Sequence, residues 1–326
     1  MSCYANSTVN TTDQTSEENL VSPLLMYRTF AVLLVFTMVV GSLGNILVIV
    51  TILKSNRFRV PTYAFLLQVA IINVLFQTVV VPINIYSFME TLWTPSTVLC
   101  IMIIDVTHMC LCTSNILLMF VSAYRCVLVC YNNIYTIIKS PKVVISLCVC
   151  VWVETILMTL VFGKKVNFSR KIMTCVFAIM HQHFFLLVFL CLPMSLLSIA
   201  MYIKSVVFIK NAQRRVSPQG SDSSRNLSNS HKLTKIAALI SVNHLVTVLL
   251  PGIFNTLVPA DHTMKTNIVV VVLFLARLTA AVDFIIYIRN DKTFRSMIMN
   301  IFKSSRCIYT PRDTQFQQGE ANINRF

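Results

Sequence analysis

Seven apolar stretches alternate with short polar intervals along the chain, at approximately 28–53, 63–87, 98–125, 143–162, 181–209, 232–256 and 266–288. A helix needs about 20 mostly apolar residues to cross the ~30 Å hydrocarbon layer of a bilayer. Each stretch meets that length and holds few charges, since an unpaired charge at mid-bilayer costs at least about 2.5–3.5 kcal/mol. The pattern predicts an all-α protein built as a seven-transmembrane helix bundle. It divides the chain into an N-terminal segment (1–27), a membrane domain (28–288) and a tail (289–326).

Composition agrees, with 56% hydrophobic and 12% charged residues. Only 6 glycines occur, and neither a G-x-G-x-x-G nor a Walker phosphate-binding pattern is present, so the sequence does not read as a nucleotide-cradling enzyme. The net charge of +15 raises nucleic acid as a partner, but its distribution argues against that. Lys and Arg collect in alternate intervals, around Lys54, Arg57 and Arg59, at Lys139 and Lys142, over 204–235 and after Tyr287. The first 27 residues contain neither. Positive residues stay on the cytoplasmic side during insertion, which places the N-terminus outside and the C-terminus inside a plasma membrane. Lys164, Lys165, Arg170 and Lys171 run against the rule on the outer side. The basic excess thus faces the inner leaflet and its partners. No cleavable signal peptide is expected, because the first long apolar run is span one itself.

Sequons at Asn6, Asn10 and Asn167 fall on outer segments and are candidate glycosylation sites; a fourth, at Asn226, lies inside. The 11 cysteines show no metal-ligand spacing and lie mostly in spans as small hydrophobes. Cys100 and Cys175 both face the oxidising side and are the pair expected to form a disulfide. Cys307, beyond the apolar run 297–302, is open to acylation or to remaining a free thiol.

Polar residues inside a span are costly, so each raises a question. Asn45, Asn73, Ser114, Asn115 and Asp283 lie at similar depth in spans one, two, three and seven and can face one interior. Two readings stand: interhelical packing alone, or a functional polar core. Arg125 ends span three, where arginine ordinarily snorkels to the interface.

Around Arg125 the sequence resembles a known family. Tyr124-Arg125-Cys126-Val127-Leu128-Val129-Cys130 is similar to the Asp-Arg-Tyr-Val-Ala-Ile-Cys ending of span three in rhodopsin-like G-protein-coupled receptors, odorant receptors in particular. Tyr135-Thr136-Ile137-Ile138-Lys139-Ser140-Pro141 and Pro61-Thr62-Tyr63-Ala64-Phe65-Leu66 resemble odorant-receptor segments at spans four and two. Gly44-Asn45, Trp152, Pro193 and Asp283-Phe284-Ile285-Ile286-Tyr287 match the family signatures of spans one, four, five and seven. Cys100 precedes Arg125 by 25 residues, the family's interval, and the likeness runs from about Gly41 to Phe302. It implies a short amphipathic helix after span seven and a ligand-gated switch coupled to a heterotrimeric G protein. It also implies no enzymatic activity, cofactor or metal. Arg125, Tyr124 and Tyr287 would form the G-protein switch.

Three departures matter. Tyr124 stands where the family carries an acid, so the local ion pair that quiets the arginine is missing. Asn73 and Asp283 exchange the family's amide and carboxylate, which favours a preserved contact between them and argues against sodium binding. Phe284 replaces a proline and removes a kink.

With Arg125 fixing the helical phase, Asp105, Thr107, His108 and Cys112 fall on or near the inward face of span three's outer half. Asn84 and Tyr86 in span two, His181 and His183 at the start of span five, and Phe254 and Asn255 in span six complete the candidate ligand region. Arg277 stands above the polar core. It either receives an acidic group of a ligand or sits in an internal ion pair, for instance with Asp105. His244 reads as a packed, hydrogen-bonded residue, and Glu154 in span four needs a partner or a proton. A small odorant-like molecule is the expected ligand. Competing readings are an orphan or peptide/chemokine-type receptor, a transporter, and a non-signalling heptahelical decoy or chaperone. No internal repeat supports the transporter. Epitope tags at the two termini of the intact-cell protein are expected to stain on opposite faces; staining on one face removes the odd number of crossings.

Overall fold

In lipid a backbone must satisfy its own hydrogen bonds, so apolar stretches of bilayer length become helices. The computed structural model describes residues 12–54, 61–90, 92–161, 166–169, 174–177, 189, 191–215, 234–250, 253 and 263–304. The helices are span one (Thr12–Lys54), span two (Pro61–Met89), span three (Thr97–Cys130), span four (Pro141–Val161), span five (Leu192–Arg215), span six (Thr234–Leu249) and span seven (Thr263–Asn290). They form a seven-transmembrane bundle. Span three is central, packing against spans two, four and five, while span one packs against spans two and seven.

Helix starts follow local chemistry. Pro61 and Pro141 open spans two and four, where a missing N–H costs nothing. Ser96 caps span three by accepting a hydrogen bond from Leu99 N at 3.3 Å. The helices overrun the apolar stretches: span one starts at Thr12, inside the segment expected as a polar N-terminus, and span three continues to Cys130. Hydropathy marks the lipid-immersed part, and backbone hydrogen bonding carries the helix past it. Wide π-helical turns at Phe76–Val80 and Leu245–Leu249 lie next to Pro82 and just before Pro251. A proline ring crowds the preceding turn and leaves a carbonyl without a donor, and a wider turn relieves both.

Three smaller elements complete the fold. A helix at Asn132–Ile138 follows span three, and a helix at Lys292–Ser304 follows span seven. The latter begins with Asp291, whose Oδ1 accepts from Phe294 N at 3.1 Å, and it turns Phe294 and Ile298 inward. An antiparallel hairpin, Val166–Ser169 with Thr174–Phe177, pairs Phe168 with Cys175 and was not anticipated by the sequence pattern. Cys175 on this hairpin is bonded to Cys100 at the start of span three. The end of the bundle carrying that disulfide is termed outer, the opposite end inner. Trp93 bridges the rim there, edge-on to Tyr86 and to Phe168.

The surface is apolar where lipid belongs: Phe36, Leu53, Ile145, Leu157 and Ile203 are exposed, whereas Asn45, Asn73, Asn243 and Asp283 are buried. That inversion fits a chain whose outer solvent is hydrocarbon.

Phe284 stands where the resemblance expects a proline, and span seven runs unbroken from Thr263 to Asn290. The ring needs space, and span one supplies it at Gly44. A Cβ on Gly44 would collide with the Phe284 ring and stand 2.8 Å from its Cβ. Gly44→Ala is expected to destabilise the bundle by about 1–3 kcal/mol through overpacking. Adding Phe284→Ala should relieve part of that loss, as measured by thermal unfolding of the purified protein.

Candidate functional site

Four spans send polar side chains into one buried cluster. Asn45 Nδ2 donates to Gly41 O at 2.8 Å in its own helix and to Ala280 O of span seven at 3.0 Å. Asn73 Nδ2 donates to Asn45 Oδ1 at 3.2 Å and to Asp283 Oδ2 at 3.1 Å. From span six, Asn243 Nδ2 donates to Asp283 Oδ1 at 2.9 Å and His244 Nε2 donates to Asp283 Oδ2 at 3.1 Å. Asp283 is 1% exposed and is the one carboxylate at the centre. Desolvating a carboxylate is offset only where hydrogen-bond donors surround it, and three side chains do so here. Asn73 and Asp283, read from sequence as an exchanged pair, are in direct contact. Asn243 was missed; its signal was a second amide in mid-span, next to a histidine at the depth of the other polar groups.

Further hydrogen bonds tie the spans around this cluster. Thr113 donates to Thr155 at 3.1 Å, Ser195 to Asn115 Oδ1 at 2.9 Å, and the Thr247 and Thr279 hydroxyls lie 2.6 Å apart. Gln77 Nε2 donates to Arg277 O at 2.7 Å and Trp152 Nε1 to Gln68 Oε1 at 3.3 Å. These bonds fix the packing of the spans, the first of the two readings of the polar residues.

Above the cluster lies a cavity of about 80 Å³ between spans two, three, six and seven. Of the candidate ligand residues among the described ones, only Thr107 lines it, alongside Ser114 and His244. Thr107 and His108 bond back to the carbonyls of Ile103 and Ile104 in their own helix, at 2.7 and 2.9 Å. Cys112 packs instead against Cys191 of span five and Leu249 of span six. Asn84 is buried and donates to Val80 O at 2.8 Å; Asp105 is half-buried, and Arg277 is buried in span seven. Glu154 is half-buried in span four. Phe254, Asn255, His181, His183, Asn6, Asn10 and Cys307 lie outside the described residues, as does the side chain of Asn167.

At the inner end Arg125 is 2% exposed, so it does not snorkel. Its Nε and Nη2 have no hydrogen-bond partner, and among the described residues no carboxylate forms a salt bridge with it. Tyr63, Tyr135 and Tyr202 lie around it. Tyr124 turns away, donating to Ile138 O at 2.7 Å and packing against Phe65 at 5.2 Å between ring centroids. It thus anchors the short helix after span three. Tyr287 is buried against Phe294, with ring centroids 5.6 Å apart.

Comparison with known proteins bears on this arrangement. The family described as 7 transmembrane receptor (rhodopsin family) matches residues 44–287. Olfactory receptor 4E1 of Homo sapiens is 28% identical over 133 residues, which is 40% of each chain. The G-protein coupled receptor moody of Drosophila melanogaster is 26% identical over 45% of this chain and 23% of its own length. Melatonin receptor type 1B-A of Danio rerio is 25% identical over 60% of this chain and 69% of its own. The match thus spans well under two thirds of the olfactory and moody relatives.

A double-mutant cycle tests the contact at the centre. Asn73→Asp places two carboxylates together and Asp283→Asn removes the carboxylate that three side chains donate to, so each alone is expected to lower thermal stability. The reciprocal double variant should recover about 1–3 kcal/mol relative to additivity; additive losses would show that the two residues do not interact.

Proposed function

The chain belongs to the rhodopsin family of seven-transmembrane receptors, a class without enzymatic activity, and from that premise we propose that it converts binding of an extracellular small molecule into activation of a heterotrimeric G protein. The observation that carries the proposal is Arg125: a cation buried at the inner end of the central span, without a carboxylate partner among the described residues. Burying an arginine that way is costly, and its position matches the family's switch. Ligand binding in the outer half of the bundle works by population shift. An agonist changes the balance of two states only by its differential affinity for them. The residues proposed to meet it are Asn84, Asp105, Thr107, His108, Cys112, Phe254, Asn255 and Arg277, with Arg277 suited to an acidic group. Arg125, Tyr124 and Tyr287 are the proposed G-protein switch, in a plasma-membrane protein with its N-terminus outside and sugar at Asn6, Asn10 and Asn167.

Similarity to olfactory receptors supports an odorant-like ligand. The longer match to a melatonin receptor supports a second reading, a small-molecule receptor outside olfaction. Both predict the same inner-face behaviour. Because Tyr124 leaves Arg125 without its local acid, basal signalling should be raised. In a second-messenger assay on surface-expressed protein, Arg125→Ala is expected to remove basal and evoked output, and Tyr124→Asp to lower the basal part severalfold. Pools of small acids, amines and apolar volatiles then separate the ligand classes. Output unchanged in Arg125→Ala would count against G-protein coupling through this residue.

A further inference from the structure

Family likeness raises an alkali cation as the natural guest of a polar core with one buried carboxylate. The residues here do not fit one. A hard cation seeks carboxylate, carbonyl and hydroxyl oxygens with free lone pairs. Asp283 Oδ2 already receives Asn73 Nδ2 and His244 Nε2, each at 3.1 Å, and Oδ1 receives Asn243 Nδ2 at 2.9 Å. Since a carboxylate only accepts, the hydrogen between His244 and Asp283 sits on Nε2. A cation approaching either oxygen would meet the positive ends of these N–H bonds.

Access points the same way. Asn73, Ser114 and His244 line the cavity of about 80 Å³, but Asp283 does not. The carboxylate is 1% exposed, and two of its three donors, Asn73 and His244, line the cavity in its place. The other ring nitrogen of His244, Nδ1, is buried with its lone pair and has no hydrogen-bond partner. Nitrogen is a poor ligand for a hard alkali ion.

We propose that His244 is a positioning residue that closes the polar core to alkali cations, its imidazole N–H standing where an ion would otherwise meet the carboxylate. Two consequences follow from the geometry. The folded receptor does not discriminate sodium from other monovalent cations. Removing the imidazole frees Oδ2, joins its space to the cavity and opens a sodium site with Ser114 at its wall. The inference rests on the packing of the core and not on the ligand or the G protein, so a failed signalling assay leaves it standing.

The test uses the purified full-length receptor at fixed pH and ionic strength, comparing thermal unfolding in sodium, potassium and choline chloride. Wild type should melt at one temperature in all three. His244→Ala should gain a saturable, sodium-specific rise of about 2–4 °C or more, abolished by adding Asp283→Asn. His244→Leu, which fills the space without creating a site, should show no ion preference. A merely structural histidine would change the melting temperature equally in every salt. The proposal is overturned by sodium-specific stabilisation of wild type that Asp283→Asn removes, or by a folded His244→Ala protein blind to sodium. If His244→Ala does not fold, His244→Ser replaces it, with the same outcomes deciding.

Discussion

A carboxylate buried at the meeting point of several spans is the constraint around which this bundle is organised. In hydrocarbon, Asp283 has no solvent to fall back on, so its charge is carried by hydrogen bonds from three other side chains on two spans. Span one joins through Asn45, which bonds Asn73 and the Ala280 carbonyl. Spans two, six and seven therefore share one acceptor, and span one is tied to them through Asn45. Helix association in membranes lacks the hydrophobic drive available in water, so such contacts and close packing carry the specificity. Gly44 beneath the Phe284 ring is the packing half of the same arrangement.

Span three is bound to the rest by different means along its length. A disulfide ties its outer end to the hairpin. Hydrogen bonds at Thr113 and Asn115 reach spans four and five in its middle. At its inner end the arginine is buried among tyrosines with no ionic tether among the described residues, while the neighbouring Tyr124 hydroxyl secures the helix that follows. The loosest electrostatic point in the span thus lies at the residue proposed as the switch.

Much of this was legible in the residues. Bilayer-length apolar stretches specify helices because lipid leaves the backbone no alternative, and their number specifies the bundle. The disulfide pair followed from which cysteines share an oxidising compartment, and the contact of Asn73 with Asp283 from an exchange of amide and carboxylate between spans. The continuity of span seven followed from a phenylalanine where a proline would bend it.

Other features depended on side-chain direction, which no linear pattern carries. Asn243 and His244 are adjacent in sequence, and only their rotation in span six makes both of them donors to Asp283. Cys112 shares a helix with Thr107, yet one packs against span five while the other lines the cavity. Tyr124 and Arg125 are neighbours whose side chains part, one to the last carbonyl of the short helix after span three and one to the buried interior. Apolar periodicity along the chain determined that the protein would live in a membrane and how many times it would cross. Which polar groups meet there, and whether their hydrogen bonds leave room for an ion, was decided by how the helices turn and close on one another, because a hydrogen bond depends on ångström-scale distances that sequence spacing does not encode.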